Sequence, residues 1–275
     1  MAMEISRRTF IKGTAAAGVV LMSGAYLGCG GKNIPEQVRR GDVTYDVLVI
    51  GSGGAGMRAG LAAAQNKDLK VAVLTKLVPT RSASTMAQGG MNGVTGVTDP
   101  NDSIESHTFD TIKGGDYLCD QDAVEYFAEN AGKTIFEMDY MGYPYNRQKD
   151  GHFHQRKMGG SSYPRAAYFE DRAGHAMVHA LFEQCLAHNI DFISECQMLE
   201  ISMTDAGKLA GIVAMDMRSG DLIGIPAKTI IIATGGYGRA YWVRTSNPYS
   251  STGDGIVAGM NVGIPFKDPE MVQFH

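Results

Sequence analysis

The run Asp46-Val47-Leu48-Val49-Ile50-Gly51-Ser52-Gly53-Gly54-Ala55-Gly56 leaves few folds open to this chain. Four consecutive apolar residues, Val47 to Ile50, predict a buried strand. The strand runs into G-x-G-x-x-G, and the small residues from Met57 to Gln65 predict a helix behind it. In that arrangement Gly51 permits a tight turn, Gly53 lets backbone approach a pyrophosphate, and Gly56 lets the helix pack close to the strand. The helix N-terminus would offer N–H groups and a positive dipole end to phosphates. A bare glycine-rich turn is the alternative, but the strand before and the helix after favour a dinucleotide site. Val71 to Thr75 predicts the second strand of a βαβ unit spanning Val43 to Thr75. An NAD-binding unit closes that strand with Asp or Glu, which holds the ribose hydroxyls. Here Thr75-Lys76 stands in that place, which speaks against an ordinary NAD site.

A length of 275 residues allows one large domain or two small ones. The net charge of −4 and the absence of a Lys/Arg stripe argue against a nucleic-acid partner. Cys29, Cys119, Cys185 and Cys196 are widely spaced and form no C-x-x-C, which argues against an iron–sulfur cluster or structural zinc. The last three are expected to be small buried hydrophobes. Ser6-Arg7-Arg8-Thr9-Phe10-Ile11-Lys12 followed by an apolar stretch from Gly13 to Leu27 predicts a twin-arginine signal peptide over residues 1–31. The stretch falls short of the roughly 20 apolar residues of a membrane span. Export by this route carries proteins already folded around a cofactor. Residues 32–42 are polar and are expected to be a linker, leaving 43–275 as the folded domain.

Farther along, Arg81 to Gly96 is a Ser/Thr/Gly-rich loop and Gly142 to Arg165 is polar with no period. Asp122 to Met141 carries helical spacing, and Ala173 to Ala187 predicts another helix. Ile190 to Ile225 is expected to hold a strand meander with Ser219-Gly220-Asp221 as a hairpin turn. Lys228 to Ala233 predicts a buried strand that ends at Gly235-Gly236. His175 and His179 have the i, i+4 spacing of metal ligands, but no third ligand stands out. His152 and His154 read as part of a polar loop, and the Ser161-Ser162 and Ser250-Ser251 pairs lack a nucleophile-elbow context.

Several motifs in order then carry a resemblance. They are Gly51 to Gly56, Arg81-Ser82 followed by Ala87-Gln88-Gly89-Gly90, Asp110 to Leu118, Asp171 to His179, Ala233-Thr234-Gly235-Gly236, Thr252 to Gly255, and Gln273-Phe274-His275. Together they resemble the flavoprotein subunits of succinate dehydrogenase and fumarate reductase. The fold this implies is α/β, a Rossmann-like FAD-binding domain. That family closes the second strand with Lys, so the implied cofactor is FAD. The resemblance places the pyrophosphate on Gly51, Ser52, Gly53, Gly54, Ala55 and Gly56. It assigns Thr75, Lys76, Arg81, Ser82, Ser84, Thr85, Gln88, Gly89 and Gly90 to the adenosine ribose and the flavin. Ala233, Thr234 and Gly235 add a second backbone approach, Asp254 matches an FAD-contacting Asp, and His275 matches a His that binds a carboxylate of the dicarboxylate substrate.

The departures from the family matter too. Its R-S-H-T signature carries the His that bonds covalently to the flavin; here the run is Arg81-Ser82-Ala83-Ser84. Ala83 has no nucleophile, so FAD is expected to bind non-covalently unless a nearby residue such as His107 substitutes. Met158 stands where relatives often place Phe over the substrate. The family continues past the position of His275 into a capping domain that carries the proton-donating arginine and then a helical domain, so this chain is expected to be the N-terminal part of a longer one. The resemblance implies a quinol:fumarate reductase that passes hydride from FAD to fumarate, acting with an iron–sulfur subunit and a membrane-docking subunit that draws on the quinol pool. Export implies a periplasmic place on the outer face of the cytoplasmic membrane. The alternatives are an L-aspartate oxidase-like flavoenzyme, which also lacks the linking His, and a non-catalytic FAD-binding electron-transfer fragment. A soluble haem-bearing fumarate reductase is disfavoured because no C-x-x-C-H occurs.

Overall fold

The computed structural model describes residues 38–272. The twin-arginine stretch, Cys29 and the Gln273-Phe274-His275 motif lie outside the described residues. The chain divides into two compact units, one from residues 38–79 and 188–272 and the other from residues 80–187.

The first unit is built on a seven-stranded sheet. Its strands are β1 (Val38–Arg40), β2 (Tyr45–Ile50), β3 (Val71–Leu74), β7 (Asp191–Ile193), β8 (Cys196–Met203), β9 (Leu209–Asp216) and β10 (Leu222–Ile232). β7, β3, β2 and the second half of β10 run parallel, and β10, β9 and β8 continue as an antiparallel meander. Helix α1 (Gly54–Ala64) crosses from β2 to β3. The continuous apolar run in β2 has its explanation in burial on both faces. Leu48 and Ile50 join Leu74, Met198, Ile212 and Ile225 on one side. On the other, Val49 and Val73 meet α1, where Gly60 sits so close that an added Cβ would lie 3.4 Å from Val73. α5 (Asp254–Asn261) follows β10.

Three expectations change in this unit. The polar stretch read as a linker holds β1, which pairs in parallel with Leu222–Gly224. Ladder bonds use only backbone, so a polar strand leaves no trace in hydrophobic pattern. Asp191–Ile193 is not part of the meander but extends the parallel edge beside β3. The segment from Lys228 is the continuation of β10, and it is not buried throughout: Lys228 and Thr229 are exposed and Ile232 is 36% exposed.

The second unit contains α2 (Ile104–Gly114), α3 (Gln121–Tyr140), α4 (Ala173–Ala187) and a small sheet in the order β4 (Met91–Asn92), β6 (Ala166–Ala167), β5 (Gln155–Arg156). Ser103 and Asp120 cap α2 and α3 with side-chain oxygens that accept from Ser106 and Ala123. α3 buries Ala128, Ala131, Ile135 and Met138 of the periodic stripe, with Gly132 beside them, while Phe127, on the same stripe, is exposed. Gly132 permits a close approach, since a Cβ there would stand 2.1 Å from the Val94 carbonyl oxygen. The stretch read as featureless loop contributes β5 and Arg165, which is 1% exposed. The Arg165 guanidinium donates from Nε and Nη2 to Asp102 at 3.1 and 2.6 Å and from Nη1 to Asp110 at 2.7 Å. Ser162 adds its N–H and hydroxyl to Asp110, each at 2.7 Å. Burial pushes the Asp110 carboxyl up, but the Ser162 and Arg165 hydrogen bonds outweigh it and hold it below the usual carboxylate value.

Candidate cofactor site

In the first unit the site is built at the carboxyl ends of the parallel strands. β2 ends at Ile50, and Gly51 turns the chain with φ of 113°, a conformation that L side chains rarely adopt. A Cβ at Gly51 would stand 2.3 Å from the Ala233 carbonyl oxygen, and one at Gly56 would stand 1.9 Å from the Gly51 carbonyl oxygen. Only glycine lets α1 start this close to the turn. Gly53 is the N-cap residue of α1, in extended backbone, and no side chain caps this helix end. No side chain competes with an anion for the positive end of this helix dipole. An oxygen-rich pyrophosphate fits that cradle.

The same edge gathers the other predicted residues of this unit. The Ser52 and Thr75 hydroxyls, both buried, lie 3.1 Å apart. Thr75 carries β3 onward with an N–H bond to the Ile193 carbonyl oxygen at 2.9 Å. Ala233 donates its N–H to the Ile50 carbonyl oxygen at 2.8 Å, which seats Ala233-Thr234-Gly235 beside the glycine turn. Gly255 lies against Thr234, where an added Cβ would come within 2.0 Å of the threonine hydroxyl. A cleft of about 290 Å³ opens there, lined by Ala233, Thr234, Gly235, Gly255, Ile256 and Phe266.

Lys76 explains the missing acid at the end of β3. Its Nζ lies 2.5 Å from a carboxylate oxygen of Asp254 and donates to the Thr252 hydroxyl at 2.5 Å. Thr252 in turn donates to the other Asp254 oxygen at 2.9 Å. A carboxylate from the first turn of α5 is thus held at the end of β3 by the lysine that stands there. Gly253, in the left-handed region with φ of 79°, aims the start of that helix. Sequence reasoning named Lys76 and Asp254 separately but missed their pairing, because 178 residues separate them.

In the second unit, Arg81 to Gly90 is not a plain loop. Ala83–Met86 forms a 3-10 turn, with Thr85 donating from its hydroxyl to the Thr80 carbonyl oxygen at 3.1 Å. α4 begins against this turn: the Gly174 N–H reaches the Ala87 carbonyl oxygen at 2.7 Å, and a Cβ on Gly174 would stand 1.9 Å from the Ser84 carbonyl oxygen. Ser82 holds a buried hydroxyl with no partner among the described residues, as expected of a group that meets a ligand. Gly90 takes φ of 116°, and a Cβ there would stand 2.6 Å from the Ala167 carbonyl oxygen. Arg81 and Gln88 are exposed.

The other singled-out residues have local partners. His154 Nδ1 lies 2.9 Å from the Tyr168 hydroxyl, while His152 faces Asp150 at 3.1 Å. The His175 and His179 rings pack against each other, tilted by 41° with centroids 4.3 Å apart. Cys185 and Cys196 are buried, and burial pushes their thiols up to about 12 and 11; Cys119 is only half-buried, contrary to expectation.

Residues 46–275 match the family model described as FAD binding domain, and residues 4–24 match that of the twin-arginine translocation pathway signal sequence. The whole chain aligns at 43% identity with 45% of the 8-methylmenaquinol:fumarate reductase flavoprotein subunit of Wolinella succinogenes. A succinate dehydrogenase flavoprotein subunit of Coxiella burnetii is 41% identical over 84% of this chain and 40% of its own length. Among solved structures, a quinol fumarate reductase chain of E. coli superposes with a TM-score of 0.75 at 36% identity, covering 82% of this chain and 37% of that one. The chain thus spans less than half the length of these relatives.

Proposed function

Since this chain belongs to the FAD binding domain family, and within it to the succinate dehydrogenase and fumarate reductase flavoprotein type, we propose that it is the FAD-holding part of an exported quinol:fumarate reductase flavoprotein. The observation that carries this reading is the dinucleotide turn, whose two glycines admit no Cβ and whose helix end is left uncapped. When bound, FAD supplies hydride transfer to and from a carbon–carbon double bond. The N-terminus of α1 would hold the pyrophosphate. Asp254, fixed by Lys76 and Thr252, would accept hydrogen bonds from ribose hydroxyls. Arg81, Ser82, Ser84, Thr85 and Gln88 to Gly90 would serve the flavin end, and His275 would bind a carboxylate of fumarate.

FAD is held here without a covalent bond. Ala83 opens the 3-10 turn with a methyl group where the linking imidazole would stand. His107 is a poor substitute, being 3% exposed and packed edge-on against Phe127 with ring centroids 5.5 Å apart. A histidyl link withdraws electron density from the flavin ring and raises its potential; about 30 mV is worth about 1.4 kcal/mol for a two-electron couple. Without it, the enzyme is expected to reduce fumarate much faster than it oxidises succinate. Comparing the two rates for the full-length protein with artificial electron carriers tests this, and succinate oxidation at the faster rate would contradict it.

Electrons are proposed to come from an iron–sulfur subunit and a membrane-docking subunit that oxidises quinol. No helix among the described residues is long and apolar enough to cross a membrane; in this reading the partner subunits provide the membrane attachment. The signal match supports export through the twin-arginine route to the periplasm. Changing Arg7 and Arg8 together to Lys should leave the protein in the cytoplasm, as read by fractionation. Undiminished periplasmic recovery of that variant would overturn the export reading.

A further inference from the structure

We propose that Arg156 is a positioning residue that holds and polarises the Gly89 and Gly90 amides as hydrogen-bond donors to the flavin, and so raises the flavin's reduction potential. The inference rests on the reading that Gln88 to Gly90 serves the flavin. Arg156 lies on β5 and its guanidinium is turned onto that loop. Nη2 donates to the carbonyl oxygens of Gln88 and Gly89, each at 2.9 Å, and Nε donates to Gly89 at 3.2 Å. The guanidinium carbon lies 4.1 Å from the centroid of the Tyr168 ring, which fixes the plane of the fork. Tyr168 is itself tied to His154 through its hydroxyl.

The two captured carbonyls belong to the peptide units that carry the Gly89 and Gly90 N–H groups. No peptide bond among the described residues is cis. In a trans peptide the N–H points opposite to the C=O. With both carbonyls directed at Arg156, both N–H groups are directed away from it, and neither has a hydrogen-bond partner among the described residues. Gly90 can take this orientation because φ of 116° is open to glycine, and the Ala167 carbonyl packed against it keeps the backbone from relaxing. A cation on a carbonyl draws electron density through the peptide unit and strengthens the N–H on its far side, a cooperative effect of roughly 10–30% per bond. The result is a pair of fixed donors in the strand-and-turn framework of one unit. Donors of that kind favour a ring that gains negative charge on reduction over the neutral oxidised ring.

A clamp with no electrostatic task would affect folding and FAD uptake alone, so the deciding measurement is the flavin midpoint potential of the FAD-loaded full-length protein, taken by spectroelectrochemical titration. Arg156→Gln removes the cation and is expected to shift the two-electron equilibrium about tenfold toward the oxidised form, which is about 30 mV. Arg156→Lys keeps the charge but offers no planar fork, and it is expected to give a smaller shift in the same direction. Wild-type potential in Arg156→Gln with FAD fully bound would overturn the proposal. Should Arg156→Gln fail to hold FAD, wild-type potential in Arg156→Lys would overturn it equally. Failure of the wild-type protein to take up FAD would instead count against the cofactor reading, so the two failures are separable.

Discussion

Gly56→Ala is expected to cost the protein its cofactor. The new Cβ would have to sit 1.9 Å from the Gly51 carbonyl oxygen, and that neighbour is backbone, not the movable end of a side chain. Gly51 cannot retreat, because its own Cα is pressed toward the Ala233 carbonyl, where an added atom would lie 2.3 Å away. The start of α1 must therefore shift away from the turn, taking its N–H groups out of reach of the pyrophosphate. Hydrogen bonds to charged groups are worth about 1.5–3 kcal/mol each. Losing two of them weakens FAD binding by about 100-fold or more. Overpacking also costs stability, typically about 1–3 kcal/mol. Titration of apoprotein with FAD, read by quenching of flavin fluorescence, checks this. Affinity within about threefold of wild type, less than about 1 kcal/mol, would show that the turn does not carry the pyrophosphate.

Arg165→Leu is expected to destabilise the second unit by about 3–5 kcal/mol, the usual cost of leaving buried charges without their partner. The arginine is 1% exposed and is shared between Asp102 and Asp110, whose side chains are 5% and 9% exposed. Both carboxylates would remain in a dry site, with Ser162 and the helix residues unable to replace a cation. Urea denaturation of the full-length protein reads the loss, and a change below about 1 kcal/mol, the range of surface ion pairs, would contradict it. The same cluster sets a direction for pH. The Asp110 carboxyl is held below its ordinary value in the fold, so its contribution is complete above the unfolded value of about 4 and is lost as pH falls through the depressed one. The wild-type protein should lose this stability on acidification below about pH 4, and Asp110→Asn should flatten that part of the profile.

What the sequence made legible follows from how far each signal reaches along the chain. The βαβ unit is local: strand, glycine turn and helix occupy consecutive residues, and Gly51 and Gly56 sit where geometry forbids anything larger. The stripe of α3 and the extent of α4 were equally readable, because helical periodicity records burial directly. The failures are pairings between distant residues. β1 is polar and owes its existence to backbone bonds with β10. The exposure in the second half of β10 was hidden because apolar composition does not show which residues find a covering layer. The ion pair at the end of β3 showed in the sequence only as a missing acid at Lys76, since its carboxylate partner, Asp254, lies on α5. Arg156 and Arg165 fell in a stretch with no period, and nothing in composition distinguishes a buried, fully bonded arginine from a solvated one. Family motifs pointed to Asp110 and to Gln88-Gly89-Gly90, but the cations that organise them had to be seen in place.

The central claim is that this chain holds FAD at the glycine turn by contacts alone, and acid precipitation of the purified full-length flavoprotein tests it most directly. The predicted result is about one FAD per protein released into the supernatant, with no flavin fluorescence in the denatured protein band on a gel, because Ala83 offers no atom to bond the flavin and His107 is buried at 3% exposure. Flavin fluorescence that stays with the denatured polypeptide would contradict the non-covalent account, and a protein that releases no FAD and retains none would contradict the cofactor site itself.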